Sequence, residues 1–149
     1  MCIRDSSKAS ALPALSSFVK LTACVFLEIF SGCGRLGRSV ARHCGWPVLL
    51  WDIDYGADYD LTVRANQMRI VHWITSGVVR GGHLGTPCNS FSRARDRPGG
   101  PPRLRSDEKP LGLDFLREVD ATKVRVGNAL MYFTCRILRL ALFLSLIHI

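Results

Sequence analysis

Cys88 stands in the run GTPCNSFSRARDR, Gly85 to Arg97, behind Pro87 and ahead of three arginines in five positions. A cysteine attacks only as its thiolate, and its ordinary pKa of about 8.5 falls beside cationic groups. Arg93, Arg95 and Arg97 are such groups, and they suit a phosphate backbone equally well. The residue types therefore fit covalent catalysis on a polyanion. They also fit an inert cysteine in a solvated basic loop.

A second constellation lies upstream. Gly32-Cys33-Gly34-Arg35-Leu36-Gly37 has the form G-x-G-x-x-G, and Asp52 follows Gly32 by twenty residues. Glycines at that spacing let the backbone turn tightly and approach a nucleotide, and an acid at that distance accepts from a ribose hydroxyl. This arrangement serves any adenosine cofactor, and a structural turn can share it. Two features favour S-adenosylmethionine over a nicotinamide cofactor. Glu28, just before the turn, would repel a pyrophosphate and suits a cationic ligand. Pro87-Cys88 supplies a nucleophile that hydride transfer does not need.

The elements that must position these groups follow from periodicity. Val25–Phe30 and Pro47–Trp51 are short apolar runs bounded by turn residues, as in buried strands, and Val78–Leu84 is a weaker third. Gly34–His43 predicts a helix with Leu36, Val40 and Ala41 on one face, stopped by Gly45. Val63–Ile74 predicts a second, with Val63, Gln67, Ile70, Val71 and Ile74 at helical spacing. Val119 to about Phe143 predicts a long third. Residues 85–112 form a Pro-, Gly- and Arg-rich loop, long enough to be functional or mobile. Strands alternating with helices predict an α/β fold with a parallel sheet.

The chain has 149 residues, 48% hydrophobic and 21% charged, which fits one globular domain and excludes a disordered polymer. Its net charge of +8 points to a polyanionic partner, nucleic acid first. Six cysteines show irregular spacing and no Cys-x-x-Cys, and several sit in apolar runs as small hydrophobes. That pattern favours a reducing, intracellular setting: the nucleus in a eukaryote, the cytoplasm otherwise. No metal is expected, since His43, His72 and His83 have no partners at ligand spacing. No membrane is expected either. Ala129 to Ile149 is apolar but carries Arg136 and Arg139, so it reads as a core helix. Residues 1–22 read as a loose lead-in, 23–143 as the domain and 144–149 as a non-native tail. MCIRDS and LSLIHI resemble translated sequencing-adapter read-through, and the expectation is a piece of a longer protein.

In order, FLEIFSGCGRLG, WDID, YDL and GTPCNSFS resemble the DNA (cytosine-5)-methyltransferase family over about residues 25 to 95. The resemblance implies a Rossmann-like class I S-adenosylmethionine-dependent methyltransferase fold, here about the first half of its parallel sheet. It implies methyl transfer from S-adenosylmethionine to carbon 5 of cytosine through a covalent cysteine adduct, with DNA as the partner. Carried over by position, Phe30, Gly32 and Gly34 would line the cofactor turn, with Glu28 near the cofactor's amino-acid end. Asp52 would bind the ribose, with Ile53 against the adenine, Asp60 at its amino group and Leu61 beside it. Cys88 would be the nucleophile, set by Pro87. Ser92 and Arg93 would touch the nucleic-acid backbone, together with Arg95 and Arg97. Asp60 reads equally as a helix N-terminal acid with Thr62 as the cap.

The sequence also departs from the family. Arg35 and Asn89 stand where a glycine and a glutamine are usual, and no Glu-Asn-Val segment follows Cys88. That segment's glutamate contacts ring nitrogen 3 during attack. The Gln-x-Arg-x-Arg motif is missing too. The reading is therefore the amino-terminal part of such a protein, inactive by itself. Two alternatives stand beside it: a degenerate nucleic-acid-binding module of the same fold, and a nucleotide-dependent oxidoreductase of Rossmann type.

Overall fold

The computed structural model describes residues 24–144. The lead-in and nearly all of the proposed tail lie outside them. The apolar run Val25–Ile29 forms β1, covered on both faces, as a central parallel strand must be. Val48–Trp51 forms β2 and Val79–Leu84 forms β3. Both pair with β1 in parallel, so the sheet order is β2-β1-β3. The chain is α/β with a small three-stranded parallel sheet and three helices, compatible with part of a Rossmann-like fold.

Alternation along β1 sends Val25, Leu27 and Ile29 to one face and Glu28 to the other. The first set joins Trp51, Leu61, Ile70, Ile74, Phe133 and Ile137 in the core. Trp51 comes from β2 and Leu61 from the segment before the second helix; Ile70 and Ile74 come from Arg64–Thr75 (α2), and Phe133 and Ile137 from Glu118–Phe143 (α3), which pack together on that face. Ile70 is wholly buried, and cutting such a side chain to alanine costs about 2–5 kcal/mol. Asn66 is buried beside it, its side-chain amide donating to the Asp60 carbonyl at 2.8 Å. By length and composition α3 could cross a membrane. Its Phe133 and Ile137 are buried in the core.

The opposite face receives Arg35–Cys44 (α1). Here the expected apolar stripe is corrected. Leu36 and Ala41 are exposed, Val40 is half-buried, and the buried residue is Gly37. A Cβ on Gly37 would lie 2.5 Å from Leu50, 2.7 Å from Val48 and 2.8 Å from the Glu28 carboxylate. The helix sits so close to β1 and β2 that the missing side chain, rather than an apolar one, sets its inner face.

The five described cysteines are free and exposed, against the expectation of buried small hydrophobes. They lie at strand ends, in turns and on outward helix faces rather than in the strand interiors. Cys2 lies outside the described residues. The long loop after β3 runs to Arg117 and contains a 3-10 turn, Arg93–Asp96. It is anchored by two buried residues, Ser90 and Leu104.

Candidate active site

Because all three strands run in parallel, the loops following them share one edge of the sheet. The chain leaves β1 for β2 on one side and returns to β3 on the other, so the sheet reverses direction at β1. Ligands of open α/β sheets sit outside the strand carboxyl ends at such a reversal. Phe30, Gly32 and Gly34 follow β1. Asp52, Ile53, Asp60 and Leu61 follow β2. Pro87, Cys88, Ser92, Arg93, Arg95 and Arg97 follow β3. Glu28 alone lies within a strand.

The turn after β1 is conformationally unusual. Phe30 has φ 58°, Gly32 52° and Gly34 66°. The left-handed region costs a non-glycine residue roughly 1–2 kcal/mol. A Cβ on Gly34 would meet Leu50 at 2.6 Å, so glycine is needed there for space as well as for φ. A Cβ on Gly32 would meet nothing within 4 Å, so the turn opens to free space on that side. Two hydroxyls near the turn, Ser31 Oγ and Tyr55 Oη, are buried without a hydrogen-bond partner.

Asp52 ties this turn to β2. Its Oδ2 accepts from the Gly32 N–H at 2.7 Å and its Oδ1 from the Asp54 N–H at 3.0 Å. A carboxylate takes about four hydrogen bonds, so acceptor capacity remains. Ile53 beside it is 55% exposed, a free apolar surface at the height of the turn. Asp60 Oδ1 accepts from both the backbone N–H and the hydroxyl of Thr62, each at 2.8 Å. Thr62 does not cap the helix: α2 begins at Arg64 after Val63, without a side-chain cap. Leu61 is buried in the core, and its carbonyl accepts from Gln67 Nε2.

Glu28 points beneath α1. It is 4% exposed, and its Oε2 accepts from the Gly37 N–H at 2.7 Å. The Gly34 cap has no side chain to offer, so a carboxylate from the neighbouring strand satisfies a first-turn donor of the helix. His83 Nδ1 lies 3.9 Å from Glu28 Oε1, because β1 and β3 pair those two residues in register. That partnership escaped the sequence reading, which weighed His83 only as a metal ligand without partners at ligand spacing.

The Cys88 loop abuts the end of β1. The Gly85 N–H donates to the Ile29 carbonyl at 2.9 Å, and a Cβ on Gly85 would lie 2.7 Å from the Phe30 carbonyl oxygen. Cys88 is exposed, and its carbonyl accepts from the Phe91 N–H at 2.9 Å, closing a tight turn. Pro87 is half-buried behind it. Ser92 caps the following 3-10 turn by accepting from the Ala94 N–H at 3.2 Å.

No protein-family model, curated protein or solved structure matches this chain.

The three arginines of the opening motif divide by role. Arg93 and Arg97 are exposed, and their side chains have no hydrogen-bond or ion-pair partner among the described residues. Arg95 is half-buried and donates to the carbonyls of Asn89 at 2.8 Å and Pro102 at 2.7 Å, so it stitches the loop together. Arg105, Asn128 and the Thr86–Thr134 hydroxyl pair also hold this loop. None stood out in the sequence, where Arg105 is one more basic residue in a basic stretch. Burial pushes the Arg105 pKa below its ordinary value, although a guanidinium remains charged. Among the described residues no group of three His, Cys, Asp or Glu side chains is placed to hold a metal.

Proposed function

We propose that this chain is the donor-binding and nucleophile-bearing part of a DNA cytosine-5 methyltransferase-like protein. The observation that carries the reading is the meeting of the Cys88 loop with the glycine turn at the sheet reversal, through Gly85 and the end of β1. Strained backbone and unsatisfied polar groups collect at functional sites, and Phe30, Ser31 and Tyr55 supply them at this turn. The residues fit S-adenosylmethionine, which when bound supplies an electrophilic methyl group. Asp52 offers acceptors to its ribose and Ile53 an apolar surface to its adenine. Glu28 adds negative charge beneath the first turn of α1. That charge opposes a pyrophosphate, which favours this donor over a nicotinamide cofactor.

The Cys88 thiolate adds to carbon 6 of a cytosine taken out of the stack, forming a carbon–sulfur bond. Carbon 5 would then carry the electron pair that takes the methyl group, the donor's sulfur–methyl bond breaking to leave S-adenosylhomocysteine. Loss of the carbon-5 proton to a base restores the double bond and expels the thiolate. No Glu-Asn-Val segment follows Cys88 within these 149 residues, and the chain by itself is expected to transfer no methyl groups.

DNA containing 5-fluorocytosine tests the step, because fluorine cannot leave as the proton does. With the protein extended along its native reading frame, a covalent adduct should form at Cys88 and disappear in Cys88→Ser. An adduct that survives in Cys88→Ser would end the proposal. Calorimetry supplies a second arm: S-adenosylhomocysteine should bind and NADH should not, and the reverse preference would favour the oxidoreductase. Exposed, unpartnered Arg93 and Arg97 also support a second reading, nucleic-acid binding without catalysis.

A further inference from the structure

Arg105 is half-buried and makes five hydrogen bonds. Its Nε donates to the Ser90 carbonyl at 3.1 Å and its Nη2 to Ser90 Oγ at 2.9 Å and the Val124 carbonyl at 3.4 Å. Its Nη1 donates to Asn128 Oδ1 at 2.8 Å and to the Pro110 carbonyl at 2.5 Å. The guanidinium also lies 3.6 Å from the centre of the Phe91 ring. One planar group thus grips the two residues at the end of the cysteine turn and fastens them to α3. On the other side of Cys88, Thr86 Oγ1 meets Thr134 Oγ1 at 2.9 Å. Asn128 and Thr134 stand six residues apart on α3, roughly 9 Å along its axis. The cysteine turn is therefore fixed to one helix at two separated points, with Cys88 between them.

We propose that Arg105 is the positioning residue of the Cys88 thiol. The proposal rests on the reading of Cys88 as the nucleophile. The base must be unstacked to reach the thiol, and the length of the 85–112 loop left open whether the segment around Cys88 is mobile. The clamp instead makes residues 86–91 a fixed platform, to which Arg95 ties the following turn through the Asn89 carbonyl. Freed backbone residues regain conformational entropy, so an unclamped turn would present its thiol in many geometries. Lysine cannot replace the arginine, since a single ammonium lacks the fork that serves Ser90 and Asn128 together.

The test uses the protein extended along its native reading frame, with Arg105→Lys and, leaving Arg105 intact, Asn128→Ala. Arg105→Lys should slow adduct formation with 5-fluorocytosine DNA by about 100-fold, the scale of an ångström-sized misplacement, and Asn128→Ala by less. In both variants amide exchange at Phe91 should rise while affinity for S-adenosylhomocysteine stays unchanged. Wild-type adduct rates or unchanged Phe91 exchange would overturn the assignment. So would loss of S-adenosylhomocysteine affinity in step with the rate, which marks general unfolding. If the unsubstituted protein forms no adduct while Phe91 exchange still rises in the variants, the methyltransferase reading fails and the loop clamp stands.

Discussion

Gly37 shows how one missing side chain fixes both a packing distance and a hydrogen bond. Its place is taken by Leu50, Val48 and the Glu28 carboxylate, all within 2.8 Å of where a Cβ would be. Gly37→Ala should therefore push α1 off the sheet and lengthen the Glu28–Gly37 bond. Overpacking of this kind costs about 1–3 kcal/mol, against a gain of at most about 1 kcal/mol from alanine's better helix propensity. Denaturant unfolding should show a net loss of stability, and a stabilised Gly37→Ala would mean that α1 does not sit as described. The G-x-G-x-x-G pattern identified this glycine from sequence, because its spacing reflects a backbone requirement that is local. The role of Glu28 was legible only in part. Its charge before the turn could be read, but its engagement with a helix nine residues on depends on how α1 docks.

At the scale of elements, β1, β2, α1, α2, β3 and α3 lie within about a residue of where the apolar runs and helical spacings set them, in the range expected for such boundaries. Continuous burial writes a parallel strand as an apolar run, so strands of this type are readable. The internal order of the segment from Gly85 to Arg117 was not readable, because it comes from arginine side chains bonding carbonyls five to fifteen residues away. No periodicity records such contacts. The start of α3 carries a similar device. Asp120 is buried, and Lys123 and Arg117 donate to it at 2.9 and 3.1 Å. Those bonds, from Lys123 first and then Arg117, hold its carboxyl below the ordinary value of 3.8. With the folded pKa depressed, the unfolded chain takes up the proton first as the solution is acidified. The contribution of Asp120 to stability is then complete above pH 3.8 and is lost as the pH falls through the lower folded value. Asp120→Asn should unfold at lower denaturant than the unsubstituted chain at neutral pH, and the gap should close in acid. A gap independent of pH would assign the effect to packing instead.

At the scale of the whole molecule, the net charge of +8 suits the proposed polyanionic partner but does not say where one would touch. The fold separates charges that bond within the protein from charges that do not. Arg95, Arg103, Arg105, Arg117 and Arg125 all have protein partners, several of them carboxylates. The side chains of Arg93 and Arg97 have none among the described residues, and they stand at the start and just past the end of the 3-10 turn beyond the clamped cysteine loop. Every phosphate neutralised releases counterions, so each true contact steepens the fall of log affinity with log salt by about 0.9 on duplex DNA. Anisotropy titrations of a labelled duplex across a salt series should therefore rank the arginines. Arg93→Ala and Arg97→Ala should each weaken binding and flatten the slope by about one. Arg95→Ala should leave the slope nearly unchanged and instead make the Asn89–Pro102 stretch more open to proteolysis, because that side chain holds carbonyls rather than phosphates. If Arg95→Ala flattens the slope as much as the other two, the loop must rearrange on nucleic acid and release Arg95 to it. If none of the three changes the slope, nucleic acid binds on some other face and Cys88 loses its route to a base.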